Sequence, residues 1–219
     1  KEDPGFAMAH AALGNGYCSF VYHEPERGRQ EYEKALALAP RTTERERSAI
    51  EVNFAASAGH YEEARRLYGQ YLRKYPDDWT MLDGFARLLR MHGQHEEAIK
   101  QYRELIRIAP NDARAYMETA TALRSSARLP EAIAAYEQAF RLEPSRKDVS
   151  NINREYGFAL VGNGDEGRAV ELFAAQAEGS ETKANGLGSL SILDLFRGRC
   201  SSARSRFQQV LALERRARS

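Results

Sequence analysis

The chain has 219 residues, of which 42% are hydrophobic and 29% are charged, a composition typical of a folded protein. Its 32 lysines and arginines against 31 aspartates and glutamates give a formal net charge of +1. This balance disfavours a general nucleic-acid binder, which needs a large basic surface for phosphate. No stretch of the sequence approaches the roughly 18 apolar residues of a membrane span, and the N-terminus shows no apolar signal region.

Prolines divide the chain at intervals of 36, 36, 34 and 34 residues, at positions 4, 40, 76, 110 and 144. Between them an Ala-x-x-x-Tyr pair recurs every 34 residues, as Ala64/Tyr68, Ala98/Tyr102 and Ala132/Tyr136. A fixed period of this length indicates a stack of like supersecondary units. We therefore predict six helix-turn-helix units, twelve helices and no strands. The units span approximately residues 5–40, 43–76, 79–112, 113–146, 150–181 and 184–217.

The first unit has about two extra residues in its turn, and the second turns at Gly59. In the third unit Gly93 is expected to end the first helix in the left-handed conformation. Its second helix then opens with Glu96 and Glu97, which are favourable at the positive end of the helix dipole. The fourth unit repeats this plan. The fifth is shifted by an insertion around Ser145–Val149, and the sixth carries the weaker pattern of Leu187, Gly198, Ala203 and Phe207.

This combination of turn, small residue, aromatic residue and proline resembles the tetratricopeptide repeat family over essentially the whole chain. The resemblance implies an all-α fold, a right-handed α-solenoid (superhelix) of about six units that forms one domain over residues 1–219. It also implies a non-catalytic scaffold for protein–protein interaction. Because the chain lacks an initiator Met and begins beside a proline of the period, we interpret it as a fragment of a longer protein.

A narrower resemblance rests on Asp3-Pro4-x-Phe6-Ala7-Met8-Ala9, on Glu44–Arg47 and on Tyr75-Pro76-x-Asp78-Trp79. These segments are similar to repeat regions downstream of bacterial serine/threonine kinases or winged-helix transcription regulators. That similarity implies a sensing or docking region of a bacterial signalling protein. The expected location is the cytoplasm, with the periplasm as the alternative if flanking segments include a membrane anchor.

The family resemblance implies that the first helices of successive units line a concave groove that receives a peptide or a helix. On this sequence the groove residues are Asn15, Asn53, Asp83, Arg87, Arg90, Arg114, Met117, Thr121, Arg124, Arg154 and Phe158. Five of them are arginines, which suit bidentate capture of carboxylate, and we therefore predict an acidic segment as the ligand. The alternative is a solvated face whose arginines pair with Asp83, Glu118 and their neighbours.

Some members of the family hold a C-terminal carboxylate in a clamp of lysine and asparagine side chains. Asn15 and Asn53 occupy the positions of the clamp asparagines, but Ala11 replaces the expected lysine. Thr80 and Gly84 likewise stand where basic residues belong. These departures disfavour a clamp of this kind.

No catalytic constellation is apparent, and we predict neither enzymatic activity, nor a small-molecule substrate, nor a metal or cofactor. His92 and His95 flank a glycine turn and do not share one helical face, as two zinc-binding histidines of a helical motif would. Cys18 and Cys200 are separated by five repeat lengths, too far apart for a disulfide in an elongated stack.

The C-terminal segment from Arg197 to Ser219 contains seven arginines and a single acid, Glu214. It is either a contact for nucleic acid or acidic lipid or the outer face of the last helix. The same helix carries Phe207, Val210, Leu211 and Leu213, and no polar capping repeat follows it in this chain. The alternatives to a protein-binding scaffold are thus a nucleic-acid-binding helical repeat and self-association through the end repeats, including a homodimer through the C-terminal helix.

Overall fold

A computed structural model of the chain describes residues 6–18, 24–148 and 150–217. Helices in these ranges are separated by short turns, and no strand occurs in them. Their bounds are α1 Ala7–Cys18, α2 Pro25–Leu38, α3 Glu44–Ser57, α4 Tyr61–Lys74, α5 Trp79–Met91, α6 His95–Ile108, α7 Ala113–Ser125, α8 Leu129–Leu142, α9 Ser150–Gly162, α10 Glu166–Glu178, α11 Lys183–Phe196 and α12 Cys200–Ala217. The prediction of an all-α fold of about six helix-turn-helix units is confirmed.

The chain divides into two compact units, Lys1–Ile108 with α1 to α6 and Ala109–Ser219 with α7 to α12. Each unit therefore contains three consecutive helix pairs. The single domain over residues 1–219 stays a prediction. Pro4 and Arg218, which entered the sequence argument, lie outside the described residues.

Glycines in the left-handed conformation end the first helix of four pairs. Gly59, Gly93, Gly164 and Gly198 have φ angles of 76°, 75°, 86° and 71°, in a region that glycine adopts at little steric cost. The expectation for Gly93 is thus confirmed. After α7 the same position is taken by Ala127, with a φ of 56°.

Side-chain caps fix the start of several first helices. Thr43 caps α3 by accepting a hydrogen bond from the backbone N–H of Glu46, whose carboxylate accepts one from the backbone N–H of Thr43 in return. Asp78 and Asp112 cap α5 and α7 in the simpler way, through one side-chain oxygen each. These bonds satisfy N–H groups that have no partner inside a helix.

A fully buried alanine and a large aromatic residue four positions later recur on the second helices. Ala64, Ala98, Ala132, Ala169 and Ala203 are each 0% exposed. The following aromatic rings are buried at Tyr68, Tyr102, Tyr136 and Phe173, whereas Phe207 on the last helix is 37% exposed. The small residue allows close approach of the helices and the aromatic ring fills the adjacent space, so this pair is the repeated core of the fold.

The period lengthens between the fourth and fifth helix pairs. Ala132 and Ala169 are 37 residues apart instead of 34. A short 3₁₀ helix, Pro144–Asp148, occupies this connection, and Val149 lies outside the described residues. The described part of the predicted insertion therefore belongs to a 3₁₀ helix that follows α8.

The left-handed Ala127 leads to a stability prediction. In that conformation a Cβ atom is disfavoured by about 1–2 kcal/mol, whereas glycine adds about 0.5–1 kcal/mol of conformational entropy to the unfolded chain. Ala127→Gly should therefore raise the free energy of unfolding by about 0.5–1 kcal/mol in urea unfolding followed by circular dichroism. Ala134→Gly, at an exposed position inside α8, is the matched control and should lower it by about 1 kcal/mol. A loss of stability in both variants would contradict the prediction.

Candidate functional site

In the first compact unit, Lys1–Ile108, the side chain of the predicted groove residue Asn15 forms a hydrogen bond to a neighbouring helix. The hydroxyl of Tyr32 on α2 donates a hydrogen bond to Asn15 Oδ1 at 2.6 Å. Tyr32 is fully buried, and this burial raises the pKa of its phenol. The amide oxygen of Asn15 therefore links α1 to α2. Asn53 on α3 is half-buried.

The charges of Asp83 and Arg87 both act on a second buried tyrosine, Tyr68. Tyr68 on α4 stacks on Phe85 with ring centroids 5.2 Å apart, and a Cβ added at Gly84 would lie 2.6 Å from its hydroxyl. Burial raises the pKa of Tyr68 to about 12, the charge of Arg87 opposes this rise and that of Asp83 adds to it. The predicted groove residues Asp83 and Arg87 therefore lie near a buried phenol of the core.

In the second compact unit, Ala109–Ser219, a carboxylate that is not among the groove predictions contacts two of the predicted groove residues. Glu155 Oε2 accepts hydrogen bonds from Thr121 Oγ1 at 3.1 Å and from the Tyr136 hydroxyl at 2.9 Å. Arg124 Nη2 lies 3.8 Å from the same oxygen. Glu155 lies 34 residues after Thr121, but the period at this junction is 37 residues, so the repeat spacing does not identify it. We call Thr121, Arg124, Tyr136 and Glu155 the Glu155 cluster.

Three of the remaining groove predictions of the second compact unit have separate partners, and the fourth is exposed. Arg146 Nη1 on the 3₁₀ helix lies 3.3 Å from Met117 Sδ, and the ring of Phe158 lies 5.4 Å from that of Phe173. Arg114 Nη2 is 3.8 Å from Asp112. Arg154 is exposed on α9.

The predicted arginines thus divide into two kinds. Arg114 and Arg124 lie near acidic side chains, as expected for a solvated face with internal pairing. Arg87 and Arg154 are exposed, and neither forms an ion pair with any residue in the ranges 6–18, 24–148 and 150–217. Arg90 is half-buried. Two guanidinium groups on first helices are therefore available to a ligand.

No group of three or more histidine, cysteine, aspartate or glutamate side chains is arranged to hold a metal ion in the part of the chain that the structure describes. The ring of His92 stacks on Tyr61 with centroids 4.0 Å apart, which gives this turn histidine a packing role. Cys18 and Cys200 are free thiols, and burial raises the pKa of Cys18. None of the described helices has the length and apolar character needed to cross a membrane.

Comparison with known proteins agrees with this architecture. The model of the tetratricopeptide repeat family matches residues 53–113. The fold is similar to a crystal structure of MamA, with 18% identity, a TM-score of 0.64, and coverage of 76% of this chain and 95% of that one. MamA from Desulfovibrio magneticus RS-1 gives 20% identity, a TM-score of 0.61, and coverage of 80% and 93%.

YrrB, described as a tetratricopeptide repeat protein with an unusual peptide-binding site, gives 17% identity and a TM-score of 0.59 over 84% of this chain and 92% of its own. No curated protein sequence matches the chain significantly. Residues 53–113 therefore match the tetratricopeptide repeat family, whose members are generally non-catalytic interaction scaffolds, and the fold of the chain is similar to that of MamA and YrrB.

The buried phenol of Tyr68 predicts a loss of stability in alkali. Its pKa is about 12 in the folded chain and about 10 in the unfolded chain, so the unfolded state ionises first. The stabilising contribution is complete below pH 10 and is lost as the pH rises to 12. We expect Tyr68→Phe to lose about 2 kcal/mol less over this interval in urea unfolding. Tyr116→Phe, at a half-buried position, is the control, and an equal loss in both variants would contradict the prediction.

Proposed function

We propose that this chain is a non-catalytic interaction module that binds a peptide or helix, preferably an acidic one, through the exposed side chains of its first helices. The observation that carries the proposal is the exposure of Arg87 on α5 and Arg154 on α9 without an acidic partner in the described residues. An exposed arginine presents a planar set of donors that matches a carboxylate. The peptide-binding site described for YrrB supports a peptide as the ligand.

The Glu155 cluster refines where the acidic residues of a ligand would bind. Arg124 already lies 3.8 Å from Glu155, so a ligand carboxylate placed there would approach a like charge. Arg154 has no such competitor among the described side chains. We therefore infer that acidic ligand residues pair with Arg87 in the first compact unit or with Arg154 in the second, while Thr121 and Arg124 shape the surface through their bonds within the fold.

The expected affinity follows from the exposure of these groups. Ion pairs at exposed sites contribute about 0.2–1 kcal/mol each, so two of them supply at most a small part of the roughly 8 kcal/mol of micromolar binding. Apolar contacts must supply the rest, for which Phe158 is a partly exposed candidate on α9. We further propose, from the sequence resemblance alone, that the module serves a larger bacterial signalling protein in the cytoplasm.

Removing both free arginines should weaken binding of acidic peptides. The variant Arg87→Ala/Arg154→Ala is expected to raise the Kd of glutamate-rich twelve-residue peptides about tenfold, which corresponds to about 1.4 kcal/mol. Glutamine counterparts of the same peptides should bind both proteins equally. Fluorescence polarisation with labelled peptides measures both series.

The control variant for this experiment is Arg29→Ala/Arg66→Ala, which removes two exposed arginines from the second helices α2 and α4. It changes the net charge equally but leaves the first helices intact. Equal weakening by the control would show that the preference comes from overall charge and would refute the assignment to the first helices.

Self-association is a second candidate function because the last helix pair exposes large apolar side chains. Leu195 and Phe196 at the end of α11 are 50% and 76% exposed, and Phe207 and Leu211 on α12 are 37% and 53% exposed. Phe207 and Leu211 are four residues apart and share one helical face. An exposed apolar surface of this kind is typical of an interaction site.

The nucleic-acid alternative receives less support from the same segment. Arg197 pairs with Glu166 at 2.5 Å, and Arg206 pairs with the buried Asp194. These pairs neutralise part of the basic C-terminal segment, which reduces the charge available to phosphate.

If the last helix forms a dimer, Phe207→Ser/Leu211→Gln should abolish it. We expect the sedimentation-derived mass of the parent chain to rise with concentration towards twice the monomer value, and that of the variant to stay constant. Phe6→Ser/Leu13→Gln, which removes two exposed apolar side chains from the first helix region, is the control and should behave as the parent. A concentration-independent monomer in the parent would exclude this function.

A further inference from the structure

A cavity of about 450 Å³ lies between α8, α9 and α10 of the second unit. Its volume lies within the range of about 300–1,000 Å³ that is usual for ligand sites. Phe140, Pro144 and Leu172 form its apolar wall. Tyr156 completes the wall, with its ring edge-on to Phe140 at a centroid distance of 5.4 Å. The cavity therefore offers aromatic surface to an occupant.

This cavity lies on a different face of α9 from the Glu155 cluster. Tyr156 directs its hydroxyl to the second helices, where it donates to Glu137 Oε1 at 3.1 Å and accepts from Arg168 Nη2 at 2.5 Å. Glu155, the preceding residue, faces Thr121 on α7 instead. Successive residues of a helix point about 100° apart, so the two sites are separate.

The guanidinium of Arg141 forms no ion pair with any described residue at the cavity, although its charge contributes, after Arg168 and Tyr156, to the lowered pKa of the Glu137 carboxyl. Arg168 is neutralised by Glu137 at 2.7 Å and Asp165 at 3.2 Å. Arg141 is exposed and donates two hydrogen bonds, of 2.9 and 2.6 Å, to the neutral amide oxygen of Gln138. Within the ranges that the structure describes, Arg141 forms no ion pair. The lining of the cavity thus carries a positive charge at Arg141 that a carboxylate would complement.

The connection that lengthens the repeat contributes to this cavity. Pro144 is the first residue of the 3₁₀ helix Pro144–Asp148 and lines the cavity together with side chains of the three neighbouring helices. The 3₁₀ helix of the lengthened connection therefore reaches the cavity through Pro144.

We propose that this cavity is a second docking site, which receives an aromatic side chain of a partner peptide whose adjacent residue is acidic. The aromatic ring packs against Phe140, Tyr156 and Leu172, since ring pairs in such geometry contribute beyond their buried area. The neighbouring carboxylate pairs with Arg141 in a charge-assisted hydrogen bond. The site goes beyond the acidic-segment face of the first helices and does not depend on Arg87 or Arg154.

The test is a selection of random twelve-residue displayed peptides on the full chain, with counter-selection on Leu172→Trp, whose larger side chain fills the cavity. Enriched peptides should contain an aromatic residue next to aspartate or glutamate. Synthetic copies should bind at least tenfold more weakly to Leu172→Trp and to Arg141→Glu. Changing the acidic residue of the peptide to its amide should remove the effect of Arg141→Glu. The exposed Arg141 variant keeps the test decisive if Leu172→Trp does not fold.

The matched control is Arg87→Ala/Arg154→Ala, which should bind the selected peptides as tightly as the parent chain. Loss of binding in that control alone would overturn the cavity proposal while supporting the first-helix face. Failure to enrich any peptide, or equal binding to all variants, would also overturn it. Sedimentation of the parent and Leu172→Trp at matched concentrations tests occupancy by a second copy of the chain, and a mass difference between them would overturn the peptide assignment.

Discussion

Burial of an alanine together with an aromatic residue four positions later is the interaction on which the helix pairs depend. Ala64, Ala98, Ala132, Ala169 and Ala203 have no exposed surface at all, so any larger side chain would have to separate two packed helices. Overpacking of this kind typically costs about 1–3 kcal/mol per site. The repeat period is therefore set by packing, and the outward positions of the same helices remain free to vary.

The same aromatic residues decide which polar groups of the first helices belong to the fold. Their rings fill the core, but their hydroxyls reach its edge, where Tyr32 meets Asn15 and Tyr136 meets Glu155. A first-helix residue beside such a hydroxyl accepts a hydrogen bond from a buried donor. If that residue bound a ligand instead, the phenol would lose its acceptor at a cost in free energy unless another acceptor replaced it. Exposed residues such as Arg154, next to Glu155, satisfy no buried donor and can bind a ligand without this cost.

The regular repeat made the helices predictable from the sequence. The irregular turn conformation and the side-chain pairs between helix pairs could not be predicted. The 34-residue period, the turn at Gly93 and the buried alanines follow from local sequence, because each unit satisfies its core with its own residues and those of its neighbours. The left-handed conformation of Ala127 could not be predicted, since no glycine marks this turn in the sequence. The pairing of Arg124 on α7 with Glu155 on α9 could not be predicted either, because it depends on the side-chain positions of two adjacent helix pairs.

The lengthened connection after α8 changes the junction between two helix pairs without changing the pattern of the core. The Ala169 and Phe173 pair resumes the pattern after 37 residues, and both side chains are fully buried. Phe173 lacks the hydroxyl of Tyr136, and the polar contact moves to Tyr156, which joins Glu137 and Arg168 on the second helices. Because each unit contacts only its neighbours, inserted residues alter one junction and leave the packing of the others intact.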